Sequence, residues 1–377
     1  MNNSPTNRRT FLARTGVLGA IASGISLSSS PAEETKKSPN DIFRVGCLNV
    51  HSYSHLNYGI WAPLINKRKG EKDTPFTGMR MTHCWDIEYD KAQEFADLYG
   101  CKAVKNFDDM LGKVDGIISG GYYNHPWNHI IHEPYLRAGL PNLINRPFAN
   151  SLVKAKKIIE MAQKYNATIL VPSSHEHNES IARAKAWATG KKILCYNATN
   201  SFDDYPTHGV HGVYMVCKAI AEAGNPVVSV GYRAKSWYEA PGILTYEHSD
   251  KDGNTFYGTL HEVGGSWGTV SIHTAEAYGG EDFNIYIGTG YPYNKTEIWA
   301  PTIWAFQYMA LYGEMPQTFE QIYHKTNVFL AGFNSFLDNN GNPVRLDNVP
   351  ENWESPAELP NRPERNYTYT LFKKKFG

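Results

Sequence analysis

The sequence is poor in cysteine, has no excess of either charge and contains no apolar run long enough to cross a bilayer. Five cysteines among 377 residues, none of them in a Cys-x-x-Cys pair, argue against a disulfide framework and against a thiolate metal site. Lysine plus arginine equals aspartate plus glutamate at 37 each, so no net field attracts nucleic acid or an anionic membrane. A small molecule is therefore the expected partner.

The first thirty residues have the features of an export signal. Arg8 and Arg9 precede a weakly apolar run from Gly16 to Ile25, an arrangement that resembles a bacterial twin-arginine signal. The run is too short for a bilayer span, which needs about 20 residues. We therefore predict a signal peptide at residues 1–30, a polar linker at 31–40, and a periplasmic or secreted mature protein without a membrane span.

The rest of the chain is long enough for two hydrophobic cores, since a single core seldom serves more than about 250–300 residues. Up to residue 190, short apolar runs alternate with amphipathic segments, a pattern typical of a doubly wound parallel sheet. Beyond it, strand-like runs follow one another, which favours an open, mostly antiparallel sheet. We predict a Rossmann-like α/β domain at 41–190, an α+β substrate and oligomerisation domain at 191–338, and a C-terminal tail at 339–377.

The stretch from Val114 to Pro147 is the part of the first domain that a ligand would meet. We predict a buried strand at Val114–Ser119, a helix at Pro126–Ala138 and a second buried strand around Leu143, which together make a parallel βαβ unit. Ligands bind at the carboxyl ends of the strands in such sheets. The polar and glycine residues expected there are Gly120, Gly121, Tyr122, Asn124, His125, Asn145 and Arg146.

Histidine is abundant, with 14 residues, and several histidines follow predicted strand ends. Its ordinary pKa lies near neutral pH, so histidine can act as a general acid or base without special tuning. His175, Glu176 and His177 follow a strand, and with His51 or His211 they would offer nitrogen and oxygen ligands to a divalent metal. The alternative is a polar loop at the rim of the crevice, without metal.

Three segments resemble the glucose-fructose oxidoreductase and inositol dehydrogenase family, Gfo/Idh/MocA. Asp86 to Gly100 is similar to the family's acidic strand end and following helix, and Ala138 to Pro147 is similar to its segment ending in Glu-Lys-Pro. Gly209-Val-His211 resembles its Asp-x-Gly-x-His motif. The resemblance implies a Rossmann domain carrying NAD(P), a sheet domain that holds a sugar or polyol against the cofactor, and a homo-oligomer formed through that sheet.

The same resemblance implies catalytic roles for individual positions. His211 stands at the histidine of the motif and is the expected general base. Arg146 and Asn145 stand at the lysine and glutamate of Glu-Lys-Pro, where they would orient the substrate. His129 stands where the family often has a histidine, on the helix after the glycine pair.

Two further sets of contacts are expected in the crevice. Asp86 would take the ribose hydroxyls of the cofactor, and the expected cofactor-binding residues are Asn49, His51, Asp86, Gly120 and Asn124. Aromatic side chains stack on sugar rings but also fill protein cores, so Tyr122 and Trp127 have two interpretations. The expected substrate-binding residues are His175, His177, Tyr122, Trp127, Thr207 and His208, and the expected metal ligands are His51, His175 and His177.

The first strand-to-helix turn departs from the nucleotide-binding pattern. Glycines in G-x-G-x-x-G let the backbone approach a pyrophosphate at a helix N-terminus, but the aligned residues here are Asn49, His51 and Ser54. Their side chains would occupy the phosphate space. Arg146 also differs from a lysine, because arginine keeps its proton and is suited to clamp an oxyanion or to stabilise developing negative charge.

These observations support three hypotheses of function. The first is an exported oxidoreductase-type enzyme acting on a sugar or glycoside, with NAD(P)-linked hydride transfer as the family chemistry. The second is a nucleotide-independent carbohydrate lyase or hydrolase that uses the histidine cluster, with or without a metal, and Arg146 on an anionic group. The third is a sugar-binding protein without catalysis. Bound nucleotide, chelator-sensitive turnover and binding without turnover would distinguish them.

Overall fold

The computed structural model describes residues 42–51, 53–57, 59–70, 78–201, 203–263, 268–275, 283–286, 295–360 and 362–377. The predicted signal peptide and linker lie outside the described residues. Within the described part of the chain, no helix combines the length and the apolar character needed to cross a bilayer.

The first sheet has six parallel strands in the order β3-β2-β1-β4-β5-β6. The direction of strand order reverses between the neighbours β1 and β4, where Cys47 pairs with Ile118. Such a reversal opens a crevice at the carboxyl ends of the strands. The strands are β1 (Phe43–Leu48), β2 (Met79–Trp85), β3 (Lys102–Ala103), β4 (Gly116–Ser119), β5 (Asn142–Ile144) and β6 (Ile169–Leu170).

The first sheet is covered on both faces by apolar cores. Successive side chains of a strand point to opposite faces, so each strand contributes to both cores. Cys47 faces a core that includes residues of the helices Tyr89–Tyr99 and Lys295–Tyr312. Ile117 faces another core, which includes Phe372 from the C-terminal helix. Burial on both faces explains why these strands are continuous apolar runs in the sequence.

Several helices begin and end where the sequence supplies caps. Ser151 Oγ accepts the backbone N–H of Lys154, Thr318 and Gln321 form a reciprocal capping box, and Gly100 ends a helix with a left-handed φ of 68°. The α-helices are α1 (Ala62–Ile65), α2 (Tyr89–Tyr99), α3 (Asn128–Ile131), α4 (Glu133–Arg137), α5 (Leu152–Lys164), α6 (Glu179–Ala188), α7 (Val210–Ala219), α8 (Lys295–Tyr312), α9 (Phe319–Asp338) and α10 (Pro363–Phe376).

The second sheet has seven strands in the order β12-β11-β7-β10-β9-β8-β13. The pair β7 and β10 is parallel, and the other described pairs are antiparallel. Val213 of α7 and Phe329 of α9 share one apolar core with Leu260 of this sheet. The strands are β7 (Ile193–Ser201), β8 (Val227–Ser236), β9 (Glu239–Ser249), β10 (Thr255–Val263), β11 (Thr269–Thr274), β12 (Phe283–Tyr286) and β13 (Val344–Arg345).

The predicted fold class is confirmed, since a parallel Rossmann-like sheet is followed by an open, mostly antiparallel sheet with helices. The predicted helix at Pro126–Ala138 is wrong in detail, because it is divided into a 3-10 turn, α3 and α4. Pro134, in the interior of the predicted helix, lacks the backbone N–H that a continuous helix would need there. The segment predicted as a tail contributes β13 to the second sheet and α10 to the core of the first.

Candidate active site

A buried hydrogen-bonded pair lies in the crevice at the carboxyl ends of the parallel strands. Arg146 follows β5, and His211 lies in the first turn of α7. Arg146 Nε and Nη2 lie 3.0 and 2.7 Å from His211 Nε2. Only 2% of Arg146 and 8% of His211 is exposed. The structure thus brings together the predicted base and the arginine that stands at the family's lysine position.

The tautomer of His211 follows from the donors and acceptors around it. A guanidinium has only donors, so Nε2 must accept and the ring proton must lie on Nδ1. Nδ1 is 2.7 Å from Ser173 Oγ, which also accepts the backbone N–H of His175 at 3.2 Å. Burial and the charge of Arg146 hold the pKa of His211 well below its usual value. His211 is therefore neutral, and Arg146 occupies its basic nitrogen.

Arg146 is a buried cation with no carboxylate in ion-pair contact among the described residues. Burial lowers its pKa, while the electrostatic effects of Tyr122 and Asp204 act in the opposite direction. Its guanidinium carbon lies 4.4 Å from the centre of the Tyr122 ring, a cation–π contact. Its Nη1 has no hydrogen-bond partner among the described residues. The positive charge is therefore compensated only in part.

Asn145 orients this pair through the backbone. Its side-chain amide donates to the carbonyl oxygen of Gly120 at 2.8 Å, and its oxygen accepts the backbone N–H of Arg146 at 3.0 Å. Both Asn145 and Ser119, at the end of β4, are 1% exposed. Asn145 therefore joins the ends of β4 and β5 and fixes where Arg146 leaves the sheet.

A second network of hydrogen-bonded polar side chains lies just before α7. Asp204 accepts both the backbone N–H and the hydroxyl of Thr207, each at 2.7 Å. Since the Thr207 hydroxyl gives its only proton to the carboxylate, it must accept from His208 Nδ1, which lies 2.9 Å away. The lone pair of a neutral His208 is then on Nε2. Thr207 is buried and holds His208 in this orientation.

Two more histidines surround His211. The His175 ring lies 4.9 Å and the His208 ring 6.5 Å from it, measured between centroids. Burial lowers the pKa of His175 to about 4, so His175 is neutral. His55 also acts on His211 electrostatically and packs against Tyr122 at 5.0 Å. We refer to Arg146, Ser173, His175, His208 and His211 as the crevice cluster.

The loop after β1, the segment with which a Rossmann domain holds a pyrophosphate, packs closely against the glycine pair Gly120 and Gly121. A β-carbon on Gly120 would collide with Ser54 Oγ and Leu56, and one on Gly121 would collide with Asn124 Oδ1 and Asn49. These loop side chains are buried against the glycine pair. The next described α-helix, α1, has only four residues. The loop therefore offers neither the space nor the helix N-terminus of a phosphate cradle.

The carboxylate predicted to bind the ribose hydroxyls, that of Asp86, already accepts hydrogen bonds from the backbone of the protein itself. Asp86 Oδ2 accepts the backbone N–H of His51 at 2.9 Å, and the other oxygen of Asp86 accepts from Glu88 at 3.4 Å. Asp86 is 7% exposed, and burial raises its pKa to about 6. The residues present therefore do not fit a dinucleotide in the usual Rossmann position without movement of the loop.

The predicted metal site is wrong, because His51, His175 and His177 do not form a ligand set in the described part of the chain. His51 lies beside Asp86, whereas His177 lies near Lys218 and Lys325, and burial together with their charges lowers its pKa to about 3. The described residues do contain one group with ligand-like spacing, formed by Asp203, Asp204 and His208. Asp203 already pairs with Arg362 at 2.7 Å, and Thr207 engages Asp204.

Three other predicted residues lie away from the crevice cluster. Trp127 packs in the core against Tyr369 and Phe372 of α10, at 5.3 and 5.7 Å between ring centroids, so the core interpretation holds for it. His129 lines a separate cavity of about 380 Å³ with Trp127 and Lys154. Asn124 Nδ2 donates to Asn128 Oδ1 at 2.8 Å.

Glu176 has buried partners that were not predicted from the sequence. Lys325, from the middle of α9, donates to Glu176 Oε1 and Oε2 at 2.9 and 3.0 Å and to the carbonyl of Val171 at 2.7 Å. Gln317 donates to Glu176 Oε1 at 2.8 Å and accepts from Lys325 at 2.6 Å. Glu176 is therefore half of a buried ion pair and not a metal ligand. The available signal was a lysine among the apolar residues of the segment that forms α9.

Two sequence-based comparisons gave no relatives. No family model matches the chain. No curated protein matches it either.

Solved structures do match over most of the chain. GenD2 from gentamicin A biosynthesis, in complex with NAD, has a TM-score of 0.63 at 12% identity, over 84% of this chain and 99% of that one. Myo-inositol dehydrogenase from Lactobacillus casei, in complex with NAD(H) and myo-inositol, has a TM-score of 0.63 at 13% identity, over 81% and 96%.

Scyllo-inositol dehydrogenase from the same organism, with NAD(H) and scyllo-inositol, has a TM-score of 0.64 at 12% identity, over 81% of this chain and 100% of that one. Identities this low establish the fold. The fold expected from the Gfo/Idh/MocA resemblance is therefore confirmed, and it is shared with dehydrogenases that bind NAD.

Proposed function

We propose that this chain, which has the fold of NAD-binding inositol and sugar-pathway dehydrogenases, is an exported enzyme that acts on a sugar or glycoside. Its acid–base centre is the Arg146–His211 pair. The observation that carries the proposal is the buried bond between these two side chains, at the strand ends where ligands bind in sheets of this order. A neutral histidine beside a fixed cation is equipped to remove a proton and to stabilise the charge that develops.

The neighbouring side chains have supporting roles in this proposal. Ser173 holds the Nδ1 proton of His211, which keeps Nε2 as the basic atom facing Arg146. His208, oriented by Thr207, supplies a second acid–base group on the same side of α7. Tyr122 and His175 form the buried wall around the guanidinium and the imidazole.

The geometry favours chemistry that needs no dinucleotide, such as a lyase or hydrolase reaction on a saccharide. The loop side chains of Asn49, Ser54 and Leu56 already occupy the space above Gly120 and Gly121. A reaction that uses only side chains also suits an exported protein, because free NAD(P) is not maintained outside the cytoplasm. Association into a homo-oligomer through the second sheet remains a prediction.

The second candidate is an NAD(P)-linked oxidoreductase acting on a sugar or polyol. Its support is the fold, since structural neighbours that match more than 80% of the chain were solved with NAD. This candidate requires the loop after β1 to move away from the glycine pair. A nucleotide retained through purification would be its signature.

Native mass spectrometry of the mature, exported protein separates the two candidates. After acid denaturation, the supernatant is scanned for nucleotides and metals. We expect neither in stoichiometric amount. One NAD(P) per chain would contradict the nucleotide-independent proposal and establish the second candidate.

His211 is tested by turnover. Saccharide panels, neutral and acidic, are incubated with the wild-type protein and with His211→Gln, and products are followed by mass spectrometry. Loss of a general base lowers the rate by about a hundredfold to ten-thousandfold. His83→Gln is the matched control, because His83 lies on β2 outside the crevice cluster. Equal rates for wild type and His211→Gln would refute the assignment.

A further inference from the structure

The unused donor on Arg146 is the feature of the crevice that remains unexplained. The side chain is 2% exposed, yet Nη1 has no hydrogen-bond partner among the described residues. Burying a cation without a partner is costly, so such groups are seldom kept unless a ligand or a function requires them. The described residues also contain no carboxylate in ion-pair contact with Arg146.

The surroundings of Arg146 define the shape of the missing partner. The Tyr122 ring covers one face of the guanidinium, and its centre lies 4.4 Å from the guanidinium carbon. A ligand therefore approaches in the plane of the guanidinium group. On one edge, Nε and Nη2 both point at His211 Nε2. The unused Nη1 forms the other edge of the guanidinium together with Nη2, and an edge of two parallel N–H groups fits a planar oxyanion.

Resting on the function proposed above, we propose that Arg146 is the receptor for a carboxylate of the saccharide substrate, as in a uronic acid. Binding of this carboxylate draws the Arg146 N–H groups away from His211 Nε2. The base is thereby released only when an acidic sugar is present.

The direction of the exchange follows from hydrogen-bond strengths. In an arginine–carboxylate pair both partners are charged and two parallel N–H bonds can form, so a carboxylate competes well against a neutral imidazole, which offers a single acceptor atom. The same carboxylate supplies the negative charge that Arg146 lacks. Ser173 keeps the Nδ1 proton in place during the exchange, so the released lone pair is on Nε2.

The inference is tested by binding, which does not depend on turnover. Titration calorimetry compares glucuronate and galacturonate with their methyl esters, which keep the shape of the sugar and remove the charge. We expect the better-bound uronate to bind about tenfold to a hundredfold more tightly than its ester. Equal affinity of acid and ester, or no heat with any uronate, would overturn the proposal.

Variants assign the preference to Arg146. Arg146→Gln should abolish the difference between acid and ester, whereas Arg345→Gln, which removes an exposed arginine that pairs with Asp347, should retain it. Wild-type protein with ¹⁵N-labelled histidine provides a readout that needs no variant, because the Nε2 resonance of His211 should change when a uronate binds. An unchanged resonance at saturation would contradict release of the base.

Inorganic sulfate is the control for the source of the anion. Binding of sulfate as tight as that of the uronates would show a general oxyanion site and would overturn the assignment to an acidic sugar. If uronates bind as expected but no saccharide is turned over, the inference stands and the proposed enzymatic function fails. The two claims are thus tested separately.

Discussion

Two buried cations in this protein have opposite surroundings. Lys325 is held by Glu176, Gln317 and the carbonyl of Val171, and every one of these contacts is between 2.6 and 3.0 Å. Arg146 has a neutral histidine, an aromatic ring and one donor for which the described residues supply no partner. The first arrangement is complete without any other molecule. The second is incomplete, and the proposed carboxylate site rests on that difference.

The two cations also differ in how much they contribute to the stability of the fold. Lys325 ties α9 to the strand end at Val171 and to the turn at Glu176, and it completes the burial of that carboxylate. Removing it would leave a buried charge alone. Arg146 makes no ion pair with a carboxylate in the described part of the chain, so the folded protein has less to lose without it.

Substitution of the two cations should have unequal effects on stability. Lys325→Met leaves the Glu176 carboxylate buried without a cation and should lower the free energy of unfolding by about 3–5 kcal/mol. Arg146→Met should change it by less than about 1 kcal/mol or increase it. Urea denaturation measures both. The double variant Lys325→Met, Glu176→Gln should recover much of the loss, and similar losses for the two single variants would refute the contrast.

Acid should unfold the protein through its neutral buried histidines. Burial lowers the pKa of His125, His132, His175 and His248 to about 4, whereas an unfolded histidine titrates near 6.5. The unfolded chain then binds protons that the folded chain does not. Their contribution is present above about pH 6.5 and is lost as the pH falls toward 4, by up to about 1.4 kcal/mol per pH unit for each histidine.

Thermal unfolding between pH 7 and pH 4.5 measures this slope. Asp86, whose pKa is raised to about 6, has the opposite sign and offsets about one histidine. His132→Gln and His175→Gln should each reduce the slope by about one proton, but only His175→Gln should alter turnover, because His175 alone of the two belongs to the crevice cluster. A flat stability profile would exclude neutral buried histidines.

The loop over the glycine pair gives the smallest expected effect. Asn49 has a φ of 55°, which glycine adopts freely and alanine adopts at a cost of about 1–2 kcal/mol. Asn49→Ala should therefore be less stable than Asn49→Gly by about 1 kcal/mol in the same denaturation assay. Neither variant should bind NAD, because Ser54 and Leu56 still cover Gly120. Calorimetric binding of NAD to Asn49→Gly would contradict the interpretation of the loop.

The local patterns of the sequence predicted much of the fold. The strand Met79–Trp85 is a mostly apolar run and the helix Tyr89–Tyr99 ends at a glycine C-cap, and both are strong local signals. The strand Glu239–Ser249 has no such signal. Pro241 and Gly242 interrupt its pattern, and its pairing with β8 and β10 is decided by tertiary contacts.

The candidate site was predictable only in its centre. Arg146 and His211 were found because each follows a recognisable segment, but Ser173, Asp204 and the ion pair of Lys325 with Glu176 join positions far apart in the chain. Trp127 and His129 were assigned to the crevice from their place after β4. In the structure, Trp127 points into the core and packs against α10. Contacts between a residue and a helix far away in the chain cannot be inferred from a single sequence.

The helix Pro363–Phe376 links the two ends of the described chain. Phe372 is fully buried and contacts Trp85 and Trp127, at 6.0 and 5.7 Å between ring centroids, in a core whose first member is Leu48. The Rossmann-like half therefore cannot mature during synthesis until residue 372 has left the ribosome.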